Sequence, residues 1–284
     1  GTNESRTKVG SLLKLMQGIE FIQTPDLLTA EVLELRIIGR LRPRYNHAGT
    51  RTAKYCYVRL TTEEEWPRLM VSKTPSAKGI CIGPISTRNM ATEVVDAIES
   101  VIPLRRCTVR MGRNYVAPEG APVCSAARLG LAQCPCSGTA EPESYANAVQ
   151  QAADALTGKS GDVVQALTER MNAHSEAQRY EEAAYLRDRI QTFETVLRRQ
   201  EQAEKLCSQG KFTVSFDNIV YEVDNGVLAS TRNADQLFMP LSSLSKQVQE
   251  AIIPPVGVRD DQGVLRNDAM DEVLCIAKFL EAQK

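Results

Sequence analysis

Long hydrophobic runs are missing from this chain: no apolar stretch approaches the roughly 20 residues a membrane span needs, so no membrane partner is expected. A signal peptide is missing too, since residues 1–10 are polar and no long apolar block follows. The expected setting is the cytoplasm, where a disulfide framework is not favoured. Histidine is nearly absent, with His47 and His174 alone, so histidine-based catalysis has little to draw on. There are no internal repeats and no long low-complexity tract. The first residue is Gly1 rather than Met, which raises the expectation that the native amino terminus lies upstream.

What is present fits a soluble protein of two or three compact units, given 284 residues and domains of about 100–150 residues. The net charge is −1 but unevenly placed: residues 1–120 carry 18 Lys and Arg against 12 Asp and Glu, and the remainder 16 against 23. A basic first part and an acidic second part fit a nucleic-acid face followed by a protein-contacting region, or chance drift. Of eight cysteines, four gather at Cys107, Cys124, Cys134 and Cys136, while Cys56, Cys81, Cys207 and Cys275 sit among apolar neighbours. The cluster reads as metal ligation and the scattered thiols as core.

The element pattern predicts an α+β chain. Residues 7–17 read as the end of a helix and Ile19–Gln23 as a short strand. Pro25-Asp26 opens a helix that runs to about Leu41 and stops before Pro43. Tyr55–Leu60 and Pro67–Lys73 read as strands around a turn holding Glu63, Glu64 and Glu65; Gly79–Gly83 reads as a third strand broken by Gly83-Pro84. Ser86 or Thr87 caps a helix to about Val101. Residues 103–140, rich in Pro, Gly, Arg and Cys, form an irregular segment that needs a staple. From Glu143 to about Lys205 three helices follow, divided at Gly158–Gly161 and at Gln178–Tyr180. Lys211–Val223 alternates as one strand, Asp224-Asn225-Gly226 turns it, Val227–Thr231 returns, and Ser242–Ile253 and Asp268–Ala282 close the chain as helices.

The helix from Asp26 to Leu41 holds the chief candidate. Leu27, Ala30, Glu34, Ile37, Ile38 and Leu41 share one face, so Glu34 sits within an apolar stripe. A buried carboxylate costs several kcal/mol unless a metal, a cation or donors meet it. Glu34 is therefore a candidate ligand for a divalent ion, or a rim residue whose carboxylate reaches water. Just beyond, Arg40, Arg42, Arg44 and Tyr45, together with Arg36, suit phosphate contact.

The stretch Glu34-x3-Ile38-x3-Arg42-Pro43-Arg44-Tyr45-Asn46 resembles the second half of a GIY-YIG nuclease domain of the UvrC excinuclease type. The resemblance continues through Trp66-Pro67-Arg68-Leu69, Gly83-Pro84, Pro103-Leu104-Arg105-Arg106-Cys107, the cysteine segment and a UVR-type hairpin, covering residues 1 to about 200. It implies metal-dependent phosphodiester cleavage in DNA repair, with Glu34 holding Mg²⁺ or Mn²⁺ and Asn46 helping to shape the site. It also implies tyrosines on GIY and YIG strands, and neither string occurs in the sequence. A fragment of a longer nuclease, or a nuclease-dead relative, would account for that; the retained Glu34 and Asn46 favour the fragment. The absence of a second nuclease domain after residue 205 resembles relatives that carry a DEDD-type exonuclease ahead of the GIY-YIG unit. The implied layout is a partial nuclease unit (1–50), a small α/β connector (51–106), a cysteine-rich metal segment (107–140), a helical region with the hairpin (141–205) and an α+β tail (206–284).

By resemblance the four clustered cysteines hold a [4Fe–4S] cluster; by donor type alone, zinc or free thiols are the other readings. Family members usually separate the last two cysteines by three residues, whereas Pro135 alone separates Cys134 from Cys136. The run Tyr180-Glu181-Glu182-Ala183-Ala184-Tyr185-Leu186-Arg187-Asp188-Arg189-Ile190 resembles a UVR motif. That makes Tyr180, Glu182, Ala183, Leu186, Arg187 and Ile190 candidates for docking on a UvrB-like helicase, unless the hairpin packs on its own C-terminal region. His174 reads as a seam residue. Two functions compete: a DNA-repair endonuclease fragment, inactive by itself, and a non-catalytic scaffold that binds DNA and a partner.

Overall fold

The computed structural model describes residues 7–46, 55–233, 244–261 and 263–283. In chain order the elements are α1 (Thr7–Leu15), α2 (Leu27–Leu41), β1 (Cys56–Leu60), β2 (Leu69–Ser72), β3 (Ile80–Ile85), α3 (Arg88–Val101), α4 (Ser125–Arg128), α5 (Pro142–Leu156), α6 (Gly161–Glu176), α7 (Tyr180–Ser208), β4 (Lys211–Phe216), β5 (Ile219–Asp224), β6 (Val227–Asn233), α8 (Lys246–Ala251) and α9 (Asn267–Ala282). The class is α+β, with two separate antiparallel sheets ordered β2-β1-β3 and β4-β5-β6. The chain divides into two compact units: residues 53–202 with 259–266, and residues 1–52, 203–258 and 267–284.

In the first of these, β1 is the central strand and α3 packs on the sheet. Thr87 caps α3 by accepting from the Met90 N–H at 3.2 Å. Val58, Leu60, Val94, Ile98, Leu104, Leu167 and Phe193 are wholly buried in one core that α5, α6 and α7 also line. Each such side chain contributes roughly 1.5–3 kcal/mol by leaving water. β3 does not stop at Gly83-Pro84 as expected but runs through it. It is an edge strand, where a proline need not donate to the ladder.

The other unit joins the two ends of the described chain. α2 lies against α9 and α8, with β6 beside α9. Asp26 caps α2, its carboxylate accepting from the Thr29 N–H at 2.8 Å. Leu28, Val32, Tyr221, Val223, Leu228, Val273 and Ile276 fill its core. α2, from the first part of the chain, thus shares one interior with β5, β6 and α9, from the last part. Two expectations fail here. Lys211–Val223 is not one strand: Asp217 and Asn218 (φ 47° and 63°) reverse the chain into β4 and β5, as a tight hairpin with two left-handed residues does. Ile19–Gln23 forms no strand, since no strand among the described residues pairs with it; Ile19 is 79% exposed. The Ser242–Ile253 helix shortens to α8, and Ser242, like His47, lies outside the described residues.

Candidate functional site

α2 presents Leu28, Thr29, Val32, Arg36 and Ile38 to the interior. Glu34 points the other way and is exposed, as is Leu27 at 73%. The expected stripe is therefore not the buried one; of its members only Ile38 lies in the core. The helix carries apolar residues on more than one side, and the tail takes up the side opposite Glu34. The Glu34 carboxylate accordingly bears no desolvation cost that a metal must offset.

Glu34 and Asn46 nevertheless line the same cleft, about 470 Å³, with Glu20, Ile37, Pro43 and Val248. The reason is local. Arg42 ends α2 in the left-handed conformation (φ 45°) and donates its N–H to the Ile38 carbonyl at 3.0 Å. Asn46 then donates to the Pro43 carbonyl at 3.1 Å, a turn that folds Asn46 back beside the helix.

The arginines separate into two kinds. Arg36, expected to meet phosphate, is instead interior. It grips Glu272 of α9 at 2.5 and 2.9 Å and donates to the carbonyls of Leu228 and Ile252 at 2.6 and 3.0 Å. With 7% of its side chain exposed and four of its five N–H donors turned inward, it is not placed to meet DNA. Arg40 reaches the Glu250 and Ala251 carbonyls at the end of α8, at 2.6 and 2.9 Å, where the helix dipole favours a cation. Arg42 and Arg44 face solvent, with Arg44 over the Tyr45 ring at 5.9 Å.

In the other unit the irregular segment after α3 has its staple in Arg105, 1% exposed. Its guanidinium is paired with Glu64 and donates to the carbonyls of Trp66 (2.6 Å), Cys107 (3.0 Å) and Val109 (2.7 Å) and to Cys107 Sγ (3.4 Å). Glu64 also accepts from the Met111 N–H at 3.0 Å. The Arg105 N–H donates to Tyr145 Oη at 3.0 Å, which donates onward to the Pro67 carbonyl at 2.6 Å. Burial pushes the Tyr145 phenol up to about 12, so it stays a donor. Sequence reasoning missed Arg105, Glu64 and Glu272. A glutamate run in a turn and an arginine pair before a cysteine look like solvated charge until their burial is known.

The four cysteines come together unevenly. Cys134 Sγ and Cys136 Sγ stand 3.0 Å apart across Pro135, on a short 3-10 turn (Pro135–Ser137). Burial opposes ionisation of Cys134, but hydrogen bonds from Cys124, Ser137 and Cys136 outweigh it and bring the thiol down to about 7. Cys136 goes the other way, up to about 12, through burial, then its hydrogen bond with Cys134 and the negative charge there, with Cys107 and Cys124 adding to it. Four thiols whose charges act on one another suit a soft metal in donor type. Among the described residues, no three His, Cys, Asp or Glu side chains close on one point at metal-holding geometry.

The hairpin of α6 and α7 turns at Gln178 (φ 59°). Its apolar seam is taken up within its own unit: Phe193 and Val196 are in the core, and Leu186 and Ile190 pack on it. Arg189 pairs with Glu93 (2.9 Å) and Asp96 (3.5 Å) of α3 and stacks on Tyr185 at 4.7 Å. Tyr180 (65% exposed), Glu182 and Arg187 face outward, and Ala183 is half-buried. The expected partner face is thus split between an inward and an outward side. No described helix is long and apolar enough to cross a membrane.

Comparison with known proteins adds the family. Residues 55–155 match the family model for the UvrC/Cho excinuclease middle domain, and residues 161–196 match the UvrB/uvrC motif. The chain is 30% identical over 197 residues to UvrABC system protein C of Clostridium novyi, covering 68% of this chain and 31% of that protein. It is 30% identical over 215 residues to the protein of the same name from Clostridium kluyveri (75% and 33%), and 32% over 200 residues to that of Desulforudis audaxviator (70% and 32%). The matched stretch spans about a third of the length of these relatives. No solved structure matches.

Proposed function

From a chain that belongs with the UvrC/Cho excinucleases through its middle domain and UVR motif, we propose a part in nucleotide excision repair, as the DNA- and partner-binding portion of a GIY-YIG endonuclease. The observation that carries this reading is the single core shared by the two matched segments, in which Phe193 and Val196 of the motif lie among the residues of β1, β3 and α3. Arg42 and Arg44 face solvent, with Tyr45 half-buried next to them, in the segment that leads from α2 to Asn46 of the Glu34 cleft, and they suit a phosphate backbone. A UvrB-like partner meets the outward side of the hairpin, at Tyr180, Glu182 and Arg187, since Leu186 and Ile190 are occupied.

Glu34 would hold Mg²⁺ or Mn²⁺, with Asn46 framing the ion; one carboxylate and one amide beside water suit an ion that keeps most of its hydration. Such an ion supplies charge neutralisation at phosphate. With neither tyrosine string in the sequence, these residues bind DNA without cutting it. Cys107, Cys124, Cys134 and Cys136 would hold an iron–sulfur cluster or zinc.

The test combines two assays. Fluorescence anisotropy should show DNA binding that weakens steeply with salt, and a nicking assay with Mg²⁺ or Mn²⁺ should show none. Nicking abolished by Glu34→Ala would overturn the inactivity, and salt-independent or absent DNA binding would overturn the repair reading.

A further inference from the structure

We propose that the coil from Thr108 to Arg113 is a second phosphate-contacting face, gripping the sugar–phosphate backbone of DNA with backbone N–H groups and two arginines. This rests on the DNA-binding reading above but adds a site in the other compact unit, and the experiment separates the two.

The coil belongs to no helix or strand, so its backbone groups have no regular partners. Three of the local carbonyls are nevertheless taken. Those of Cys107 and Val109 accept from the Arg105 guanidinium at 3.0 and 2.7 Å, and that of Met111 accepts from the Glu65 N–H at 3.0 Å. Arg105 is 1% exposed and Met111 is fully buried, so these carbonyls turn toward the protein. In a trans peptide a carbonyl and the N–H that follows it point opposite ways. The N–H groups of Thr108, Arg110 and Gly112 therefore turn away from the anchor, two residues apart, and all three residues are exposed. Among the described residues none of these three N–H groups meets an acceptor. The same rule turns the Arg110 carbonyl outward, because the Met111 N–H goes inward to Glu64 at 3.0 Å.

Charge decides what this face attracts. Arg110 is exposed between two pinned residues, and Arg113 is exposed in a turn closed by the Tyr115 N–H on the Gly112 carbonyl at 2.9 Å. Among the described residues neither arginine makes an ion pair. Glu119 is the sole acid between Arg105 and Gly130. Backbone N–H groups and arginines together are what phosphate oxygens take in protein–DNA contacts. An acidic protein surface would use the arginines, but a regular row of backbone donors suits the repeating oxygens of a phosphodiester chain. A merely solvated charge run would need no anchor. Here the buried Arg105 and Glu64 hold the donors in place before binding, so little freedom is lost when they bind.

The experiment measures binding of the full chain to a labelled duplex by fluorescence anisotropy across a salt series. The variants are Arg110→Gln, Arg113→Gln, Arg88→Gln and the double change Arg42→Gln with Arg44→Gln. Arg110 and Arg113 have no partner to lose, so far-ultraviolet dichroism should stay unchanged. Each of these two substitutions should weaken binding alike on any sequence and lower the salt slope by about 1. Arg88 is an exposed arginine at the far end of α3, roughly 20 Å along that helix, and its loss should leave the slope unchanged. In amide spectra of the labelled chain, Thr108, Arg110 and Gly112 should shift as DNA is added. A slope untouched by Arg110→Gln and Arg113→Gln, or lowered equally by Arg88→Gln, overturns the proposal, as do unmoved amides. Poly-glutamate that competes as well as DNA at equal charge would assign the face to an acidic protein and overturn it too. If only the Arg42 and Arg44 change weakens binding, this face fails and the earlier reading stands. If only Arg110 and Arg113 matter, this face stands and the earlier placement of the DNA contact fails.

Discussion

Each of the two units encloses an arginine–glutamate pair, and the pairs are alike in chemistry but not in what they hold. Arg36–Glu272 (side chains 7% and 3% exposed) ties regular elements together, since α2, α9 and β6 all meet there. Arg105–Glu64 (1% and 9%) ties a coil to a turn. Around Arg36, Leu28, Val32, Val273 and Ile276 would still pack if the pair were lost. Around Arg105, Leu104 and Met111 are the buried apolar residues of the coil from Pro103 to Met111. A buried ion pair is weak evidence of net stability, so its meaning comes from what it orders.

Cutting each pair puts this contrast at risk. Arg36→Met and Arg105→Met should each cost about 3–5 kcal/mol in chemical denaturation, because an uncompensated carboxylate remains buried. They should differ in place. Hydrogen exchange should rise throughout α2 and α9 in the first, but only across residues 105–113 in the second, with β1 and α3 still protected. Equal patterns would remove the distinction.

Glycines probe the same contrast at smaller scale. A Cβ at Gly226 (φ 89°) would stand 2.9 Å from Cys207 Sγ and 3.3 Å from Val273, while one at Gly120 (φ 72°) meets nothing within 4 Å. Gly226→Ala should cost about 1–3 kcal/mol and Gly120→Ala about 1 kcal/mol, read from thermal midpoints.

Acidity acts on the unit that holds the coil. Burial pushes the Glu99 carboxyl up to about 7, against the opposing charge of Arg106. The folded state thus holds a proton that the unfolded chain releases near 4.5, so this group's stabilisation is full below that value and is lost as pH rises toward 7. Glu99→Gln should therefore gain on wild type as pH rises from 5 to 8, by roughly 2–4 °C; a gain in the opposite direction would contradict the burial. The smallest effect belongs to the exposed pair Arg187–Asp188, 66% and 65% exposed. Arg187→Ala should move stability by less than about 0.5 kcal/mol while weakening partner binding in calorimetry.

The helices were legible because their signals are local. Asp26 and Thr87 cap α2 and α3 as their side chains allow, and Gly158 and Gln178 mark the breaks between helices. The order of motifs from Trp66 through the cysteines to Tyr180 likewise pointed to the family that the middle domain and UVR motif then matched. The face of α2 was not legible. Apolar residues at Leu27, Ile37 and Leu41 compete with Leu28, Val32 and Ile38 for burial, and periodicity cannot tell which side a partner will cover. Arg36 was misread for the same reason: a charge beside other charges reads as surface until a carboxylate 236 residues away meets it.

Caps, turns and periodicity act over a few residues, so the order of amino acids was enough to say which segments are helical or extended, where most of them stop, and which family the central stretch resembles. Three outcomes waited on the folded chain: the tail closes onto α2, Glu34 looks outward beside Asn46, and Arg105 holds Cys107. They depend on which distant groups exclude water from one another, and a linear pattern does not encode that pairing.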